Sequence, residues 1–168
     1  MKRFFFLIFS LALFINAYSQ KIAEGSLAPL KTSGKAKVVL DFDNASIHGM
    51  TVGDFAEYEQ DWNIDKPEIE GKFKSALADK CDVIQFGNEL DADITLHVKV
   101  LSINTKGNYS CECIVKSRQG EKIAIIEGVI ARGGTFGSKL NLIKDGAEHT
   151  GIMLGKFLKR TLGKNKVI

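Results

Sequence analysis

The clearest pattern in the chain is an alternation of apolar and polar residues over three consecutive segments, 93–104, 109–117 and 122–131. In each segment every second side chain is mostly apolar, which places the apolar side chains on one face of a β-strand. Short turns at 106–108 and 118–121 separate the segments. Strict alternation with short connections predicts an antiparallel meander with one buried face.

Two other segments show the period of an amphipathic helix. Asp65 followed by Pro67 predicts a helix start with Asp65 as the N-cap, and apolar residues at helical spacing continue this helix to about Lys80. Ser138 can cap a second helix. Its apolar residues form one stripe about six turns long, and Gly163 is predicted to end the helix.

The remaining segments are less regular. Residues 37–42 form a β-branched run that predicts the opening strand, and 83–86 predict a further short strand. Residues 20–36 are polar and contain Gly and Pro, so we expect a flexible lead-in. Residues 44–63 have no clean period, and we expect a long irregular excursion with a helical turn around 54–60.

The order of these elements is β-α-β-β-β-β-α, without repeats or a linker. It predicts an α+β fold in which an antiparallel sheet of about four to five strands carries two helices on one face. Residues 37–163 would form this single domain, and 164–168 would be a tail.

The first 19 residues have the pattern of a secretory signal peptide. Lys2 and Arg3 precede an apolar stretch at 4–15, and Ala17 and Ser19 supply the small residues of a cleavage site. In a helix this stretch rises about 20 Å, short of the hydrocarbon core of about 30 Å, so an uncleaved anchor is disfavoured. No cysteine stands near the cleavage site to carry a lipid. We expect export to the periplasm or the extracellular space, with no transmembrane anchor after cleavage.

Charge excludes a strongly basic nucleic-acid-binding domain. The chain has 23 Lys and Arg against 20 Asp and Glu, and removal of the leader leaves 21 against 20. The charges are nevertheless uneven, because 41–70 has nine acids and one cation, while 138–168 has seven cations and two acids. This asymmetry indicates either a surface that steers partners or charge pairing within the chain.

The three cysteines allow two interpretations. Cys111 and Cys113 share one face of a strand with Cα atoms about 6.6 Å apart, at the upper limit for a disulfide. A bridge from Cys81 to either of them is sterically easier, although the pairing is unknown. The alternative is three small buried thiols. A C-x-C pair without nearby histidines does not indicate zinc.

Two segments are candidate contact sites. The 133–138 loop follows a strand and opens a helix, a context in which glycines let backbone N–H groups approach an anion. Its spacing does not match a nucleotide P-loop, so the alternatives are an anion or partner site and a tight connection with Phe136 in the core. In the excursion, three aromatic residues would contact a partner if exposed, or would anchor the segment if buried. The candidate partner-binding residues are Phe55, Tyr58, Trp62, Gly133, Gly134, Thr135, Phe136, Gly137 and Ser138.

No catalytic, metal or cofactor site is predicted. His48, His97 and His149 are far apart in the sequence, and none of the common hydrolase or metalloprotease motifs occurs. The acids of 41–70 do not match a calcium-binding loop.

From Val38 onward the chain resembles a family of exported bacterial proteins of unknown function. The resemblance rests on the stretches VVLDFDNASIHGM, ADITLHVKVLSI and EGVIARGGTFGS, and on the final helix. Similar β-α-β-β-β-α domains occur in outer-membrane-associated lipoproteins of the peptidoglycan-synthase-activator and curli-secretion types. The anchoring cysteine of those lipoproteins is absent here. The resemblance implies a non-enzymatic periplasmic module and assigns no functional residue.

We therefore expect an exported, non-catalytic binding or assembly module of the bacterial cell envelope. It would dock an envelope protein or a cell-wall component through the 44–63 excursion and the 133–138 loop. Two alternatives stay open. A small periplasmic ligand carrier would need a large apolar cavity, and a hydrolase using acids of 41–70 would need two carboxyl groups about 5–9.5 Å apart across a cleft.

Overall fold

A computed structural model describes residues 20–87 and 91–163. The predicted signal peptide and the predicted tail lie outside the described residues. The described chain forms these elements in order: β1 (Lys21–Gly25), α1 (Ala28–Ser33), β2 (Lys35–Asp41), β3 (Ser46–Ile47), α2 (Val52–Tyr58), α3 (Trp62–Lys80), β4 (Gln85–Phe86), β5 (Ile94–Ile103), β6 (Tyr109–Ser117), β7 (Lys122–Ala131) and α4 (Lys139–Gly163).

The strands form one mixed sheet in the order β1-β7-β6-β5-β2-β4, and β3 pairs with β5 off this path. The antiparallel meander of β5, β6 and β7 is confirmed. The prediction of an antiparallel sheet of about four to five strands is confirmed only in part, because the described sheet has seven strands and β2 is parallel to both β5 and β4. The chain between β2 and β5 contains α2 and α3, and a long helical connection of this kind joins parallel strands.

Residues 20–36, expected to be a flexible lead-in, instead form β1, α1 and the start of β2. β1 is an edge strand antiparallel to β7, with Lys21 opposite Glu127. α1 has Pro29 in its first turn and buries Leu30 completely. Both elements are short and carry few apolar residues, which is why hydrophobic periodicity does not reveal them.

The helix α3 begins one turn earlier than predicted, at Trp62 rather than after Asp65, so that Pro67 lies inside it. Burial of Trp62 accounts for the extra turn. The indole ring contacts the rings of Phe42 and Phe55 edge-on, with centroids 5.4 and 5.3 Å away. These contacts stabilise a helical first turn that the sequence around Pro67 does not indicate.

The helix α4 confirms the predicted cap. The Asn141 N–H donates to Ser138 Oγ at 3.2 Å, and the helix is described from Lys139 to Gly163, the last residue of the described range. Helices α3 and α4 join the inward residues of the strands in one hydrophobic core. The predicted packing of two helices on one face of the sheet is therefore present, with α1 and α2 added to it.

Glycines let α3 and α4 come into backbone contact. A Cβ added at Gly151 would lie 2.3 Å from the carbonyl oxygen of Phe73, and one at Gly155 would lie 2.8 Å from that of Leu77. No larger residue fits at these distances without a shift of one helix. The two helices run in the same direction, so both begin at the same end of the molecule.

We expect Gly151→Ala to lower the free energy of unfolding by about 1–3 kcal/mol, because the added methyl group forces α3 and α4 apart. Gly71→Ala is the matched control, since Gly71 lies within α3 and an added Cβ there meets nothing within 4 Å. That control should gain about 0.5–1 kcal/mol from the higher helix propensity of alanine. Urea unfolding measures both changes, and a stability gain in both variants would contradict the backbone contact.

Candidate functional site

The structure brings the two predicted contact segments together. Tyr58 is the last residue of α2, and Lys139 is the first residue of α4. The Lys139 ammonium donates a hydrogen bond to the Tyr58 hydroxyl, and it lies 4.1 Å from the centroid of the Tyr58 ring. The 44–63 segment and the 133–138 loop are thus neighbours in space, although the sequence separates them widely.

The 44–63 segment is more regular than expected. It contains β3 and α2, and it runs into the first turn of α3. Thr51 caps α2, with its hydroxyl oxygen accepting a hydrogen bond from the Asp54 N–H at 3.2 Å. The predicted helical turn around 54–60 is part of this helix, which ends before residue 60.

Two of the three predicted contact aromatics in this segment lie in the core. Phe55 is 0% exposed and Trp62 is 1% exposed, and their rings pack against each other. A partner cannot reach them, so the prediction that they contact one directly is wrong. Tyr58 is 55% exposed and remains available. Tyr58 is the last residue of α2, and its ring contacts Lys139 rather than the core.

The glycines of the 133–138 loop serve contacts within the chain. The Gly133 N–H donates to the side-chain oxygen of Asn108 at 2.8 Å, and a Cβ at Gly133 would lie 2.0 Å from the carbonyl oxygen of Lys106. A Cβ at Gly134 would lie 2.3 Å from a carboxylate oxygen of Asp145. Close backbone packing accounts for these two glycines, and the Gly133 N–H is already engaged, which weighs against an anion cradle.

The tip of the loop points into solvent. Phe136 is 88% exposed, which rules out the alternative in which this ring lies in the core. Thr135, Gly137 and Ser138 are also exposed. Ile64, in the first turn of α3, is 74% exposed and was not predicted. Tyr58, Phe136 and the aliphatic Ile64 are exposed near the starts of α3 and α4. We call these three side chains together the aromatic surface.

Charge pairing within the chain explains part of the charge asymmetry. Lys144 Nζ lies 3.0 Å from Asp65 Oδ2 and 2.6 Å from Glu68 Oε2. The hydrogen bond to Glu68 is the main cause of a raised pKa for Lys144. Lys159 pairs in the same way with Asp82 at 2.8 Å. Cations of α4 therefore join this helix to α3 and to the turn that follows it.

The acids around Tyr58 are not compensated in this way. Glu57, Glu59 and Asp61 make no ion pair with a cation in the described parts of the chain. The aromatic surface therefore has an acidic border.

His97 joins a separate polar chain on the sheet face that the helices leave uncovered. Its Nε2 lies 2.7 Å from Asp41 Oδ2, and its Nδ1 lies 2.6 Å from Lys116 Nζ. Burial tends to raise the pKa of Asp41, but hydrogen bonds from the Asp43 N–H and from His97 outweigh it and hold the pKa below its usual value. Asp41, His97 and Lys116 thus hold one another by hydrogen bonds, on the sheet face opposite the one that the helices cover.

The other two histidines have unrelated surroundings. His48 has a positive φ of 53° and stacks edge-on against Phe55 at 5.1 Å between centroids. Burial and the nearby charge of Lys139 lower the pKa of His48. His149 donates from Nδ1 to the carbonyl oxygen of Arg132 at 2.8 Å. The three histidines therefore lie in separate surroundings.

The three cysteines are free and buried. Burial raises the pKa of Cys113 to about 12 and that of Cys111 still further, while the pKa of Cys81 is raised less. Thiolates are disfavoured at all three positions, so these side chains act as small apolar groups in the core.

The surface grooves show whether the chain offers a site suited to a ligand carrier or to a hydrolase. Four of them have volumes between 270 and 390 Å³. Among the acids of 41–70, Glu70 lines one of these four grooves, and none of the four contains two acids from that segment. Within residues 20–87 and 91–163, no group of three or more His, Cys, Asp or Glu is placed to hold a metal ion. No helix in the described ranges is long and apolar enough to cross a membrane.

We expect Asp41→Asn to lower the free energy of unfolding by about 1–3 kcal/mol at pH 7, because a hydrogen-bonded carboxylate is lost. Since the pKa of Asp41 is lower in the folded chain than in the unfolded chain, its contribution is present above the unfolded pKa and disappears as the pH falls through the folded one. The difference from the parent chain should therefore begin to shrink as the pH falls below about 4, the ordinary pKa of an aspartate. Chemical unfolding at several pH values tests this, with Asp43→Asn as the exposed control. A difference independent of pH would refute it.

Phe136→Ala should change the free energy of unfolding by less than about 0.5 kcal/mol, because the ring is almost fully exposed. Phe55→Ala should lower it by about 3–5 kcal/mol, because a buried ring leaves a cavity. Thermal and urea unfolding of the two variants measure the contrast. A large loss in Phe136→Ala would mean that this ring supports the fold and is not a free contact group.

Comparison with known proteins assigns no family. No family model matches the chain, and no curated protein matches it. Among solved structures, the chain is similar to a protein described as a PelC dodecamer from Paraburkholderia phytofirmans, with 10% identity and a TM-score of 0.42, covering 81% of this chain and 98% of the other. A TM-score below 0.5 does not establish a shared fold, so nothing is transferred from it. The resemblance to exported bacterial proteins of unknown function stays a prediction.

Proposed function

We propose that this chain is an exported, non-catalytic binding or assembly module of the bacterial cell envelope, which docks its partner through the aromatic surface. The observation that carries the proposal is the contact between Lys139 and Tyr58. It places an exposed tyrosine from one segment beside a loop that presents an exposed phenylalanine from another. The partner would be an envelope protein or a cell-wall component.

Exposed apolar side chains at this end favour a contact role. A phenylalanine that is 88% exposed contributes almost nothing to the core, and apolar side chains grouped at one place on a surface mark interaction sites. Aromatic side chains supply large contact areas in interfaces.

The backbone beneath Phe136 is already ordered. Gly133 packs against the turn at 104–108, and Gly134 donates from its N–H to the carbonyl oxygen of Leu142 at 3.3 Å. A ring held on an ordered loop loses less conformational freedom on binding than one on an unstructured segment. This arrangement suits a docking surface.

Export and the envelope location rest on the signal-peptide pattern of the first 19 residues and on the family resemblance. The carrier and hydrolase alternatives find less support, since the surface grooves are modest in volume and do not bring together two acids of 41–70. The proposal therefore assigns binding and no reaction.

Photo-crosslinking in the exporting bacterium tests the proposal. A photoreactive amino acid replaces Phe136 in one variant and Tyr58 in another. Val83 is the control position, because it is 42% exposed but follows the opposite end of α3. We expect the same envelope component to be captured from both test positions and not from Val83, because only the test positions belong to the proposed surface.

The captured component must also lose binding to purified Phe136→Ala protein that unfolds like the parent chain. Capture of the same component from all three positions, or from Val83 alone, would contradict docking through the aromatic surface. If a well-expressed protein captures nothing from the exposed test positions, the result would contradict the proposal and favour the ligand-carrier alternative.

A further inference from the structure

We propose that the partner contributes a cationic polypeptide segment, in which a lysine or arginine stands beside an apolar side chain. This inference rests on the proposed function and specifies the chemistry of the partner. It follows from what the aromatic surface exposes, and from which of the surrounding charges the chain leaves unpaired.

The acidic border supplies the first part of the argument. Glu57, Glu59 and Asp61 lie within three residues of Tyr58, and no cation of the described chain pairs with any of them. Nearby Lys144 is held by Asp65 and Glu68 instead. Against these three carboxylates stands the cation of Lys139, on the Tyr58 ring, so the charge at this surface is still negative and favours a positively charged segment over a negatively charged one.

The ring of Tyr58 supplies the second part. It already accepts an ammonium group on its face, since Lys139 Nζ lies 4.1 Å from the ring centroid. An aromatic ring bordered by carboxylates is a favourable environment for lysine and arginine side chains, because attraction to the ring adds to attraction to the acids. Lys139 already lies on this ring, so a cation from a partner would be attracted chiefly by the three carboxylates beside it.

The apolar members of the surface supply the third part. Ile64 and Phe136 are 74% and 88% exposed, so they can bury an apolar side chain of the partner. A neutral glycan could stack on the aromatic rings and donate hydrogen bonds from its hydroxyl groups to the carboxylates, but it carries no positive charge to balance them. The combination favours a polypeptide that carries both a cation and an apolar group.

The test uses two synthetic peptides and the full mature chain. One peptide has three Lys-Phe-Gly repeats with blocked ends, and the other replaces each lysine by glutamate. Binding is followed by shifts of backbone amide signals in NMR. We expect the lysine peptide to shift signals of 57–64 and 134–138, and the glutamate peptide to bind at least about tenfold more weakly, because it faces like charge.

Neutralising the three acids of the border distinguishes docking at this surface from general electrostatic attraction between the peptide and the protein. The triple variant Glu57→Gln, Glu59→Gln and Asp61→Asn should bind the lysine peptide at least about fivefold more weakly, since three favourable charge interactions are lost. A matched triple variant neutralises acids elsewhere, with Asp79→Asn, Glu121→Gln and Glu127→Gln, and should change binding by less than about twofold. Phe136→Ala should weaken binding without altering the unfolding curve.

Three outcomes would overturn the inference. They are no binding of the lysine peptide at millimolar concentration, equal weakening by both triple variants, and binding of a soluble peptidoglycan fragment at the same residues that the border variant leaves unchanged. Each leaves the proposed function standing if crosslinking from Phe136 and Tyr58 still captures one envelope component. Loss of that capture would instead refute the proposed function itself.

Discussion

The backbone contact between α3 and α4 is the constraint on which the rest of the structure depends. Gly151 and Gly155 bring one helix against the carbonyl groups of the other. A glycine within a helix lowers helix stability by about 1 kcal/mol relative to alanine. The close approach of α3 and α4 therefore comes with a lower helix propensity in α4. With the axes in register, the first turns of both helices meet at one end of the sheet. That meeting is what allows Lys144 to reach Asp65, and it places Lys139 against Tyr58.

The parts of the fold that could be predicted are those whose signal is local. The meander β5–β7 shows in the sequence because inward and outward residues alternate over most of each strand, with breaks at 101–102 and 127–128 where the register shifts. The parallel pairing of β2 with β5 could not be read in the same way, because it depends on how the helical crossover returns the chain. β1 carries little periodic signal, since all five of its residues are exposed at the edge of the sheet.

The exposure of the candidate contact residues could be predicted only in part, since Tyr58 and Phe136 are exposed but Phe55 and Trp62 are buried. Phe55, Tyr58 and Trp62 recur at spacings of three and four, as on one face of a helix. The chain turns between α2 and α3, however, so Phe55 and Trp62 enter the core from two different helices while Tyr58 stays outside. Phe136 is exposed because glycines, rather than its own ring, pack the loop against the fold. Such a division of roles is set by tertiary contacts and has no signature in the sequence.

The pairing of β1 with β7 has a consequence for how the chain acquires its structure. Lys21 lies opposite Glu127, so β1 joins the sheet through a strand that comes much later in the chain. Contacts so distant along the chain slow folding, since the loop between them must close first. During that interval β1 has no partner, and an apolar strand in its place would invite pairing with other chains. β1 has five exposed residues, including Lys21 and Glu24. Its polar side chains keep the unpaired strand hydrated until β7 pairs with it.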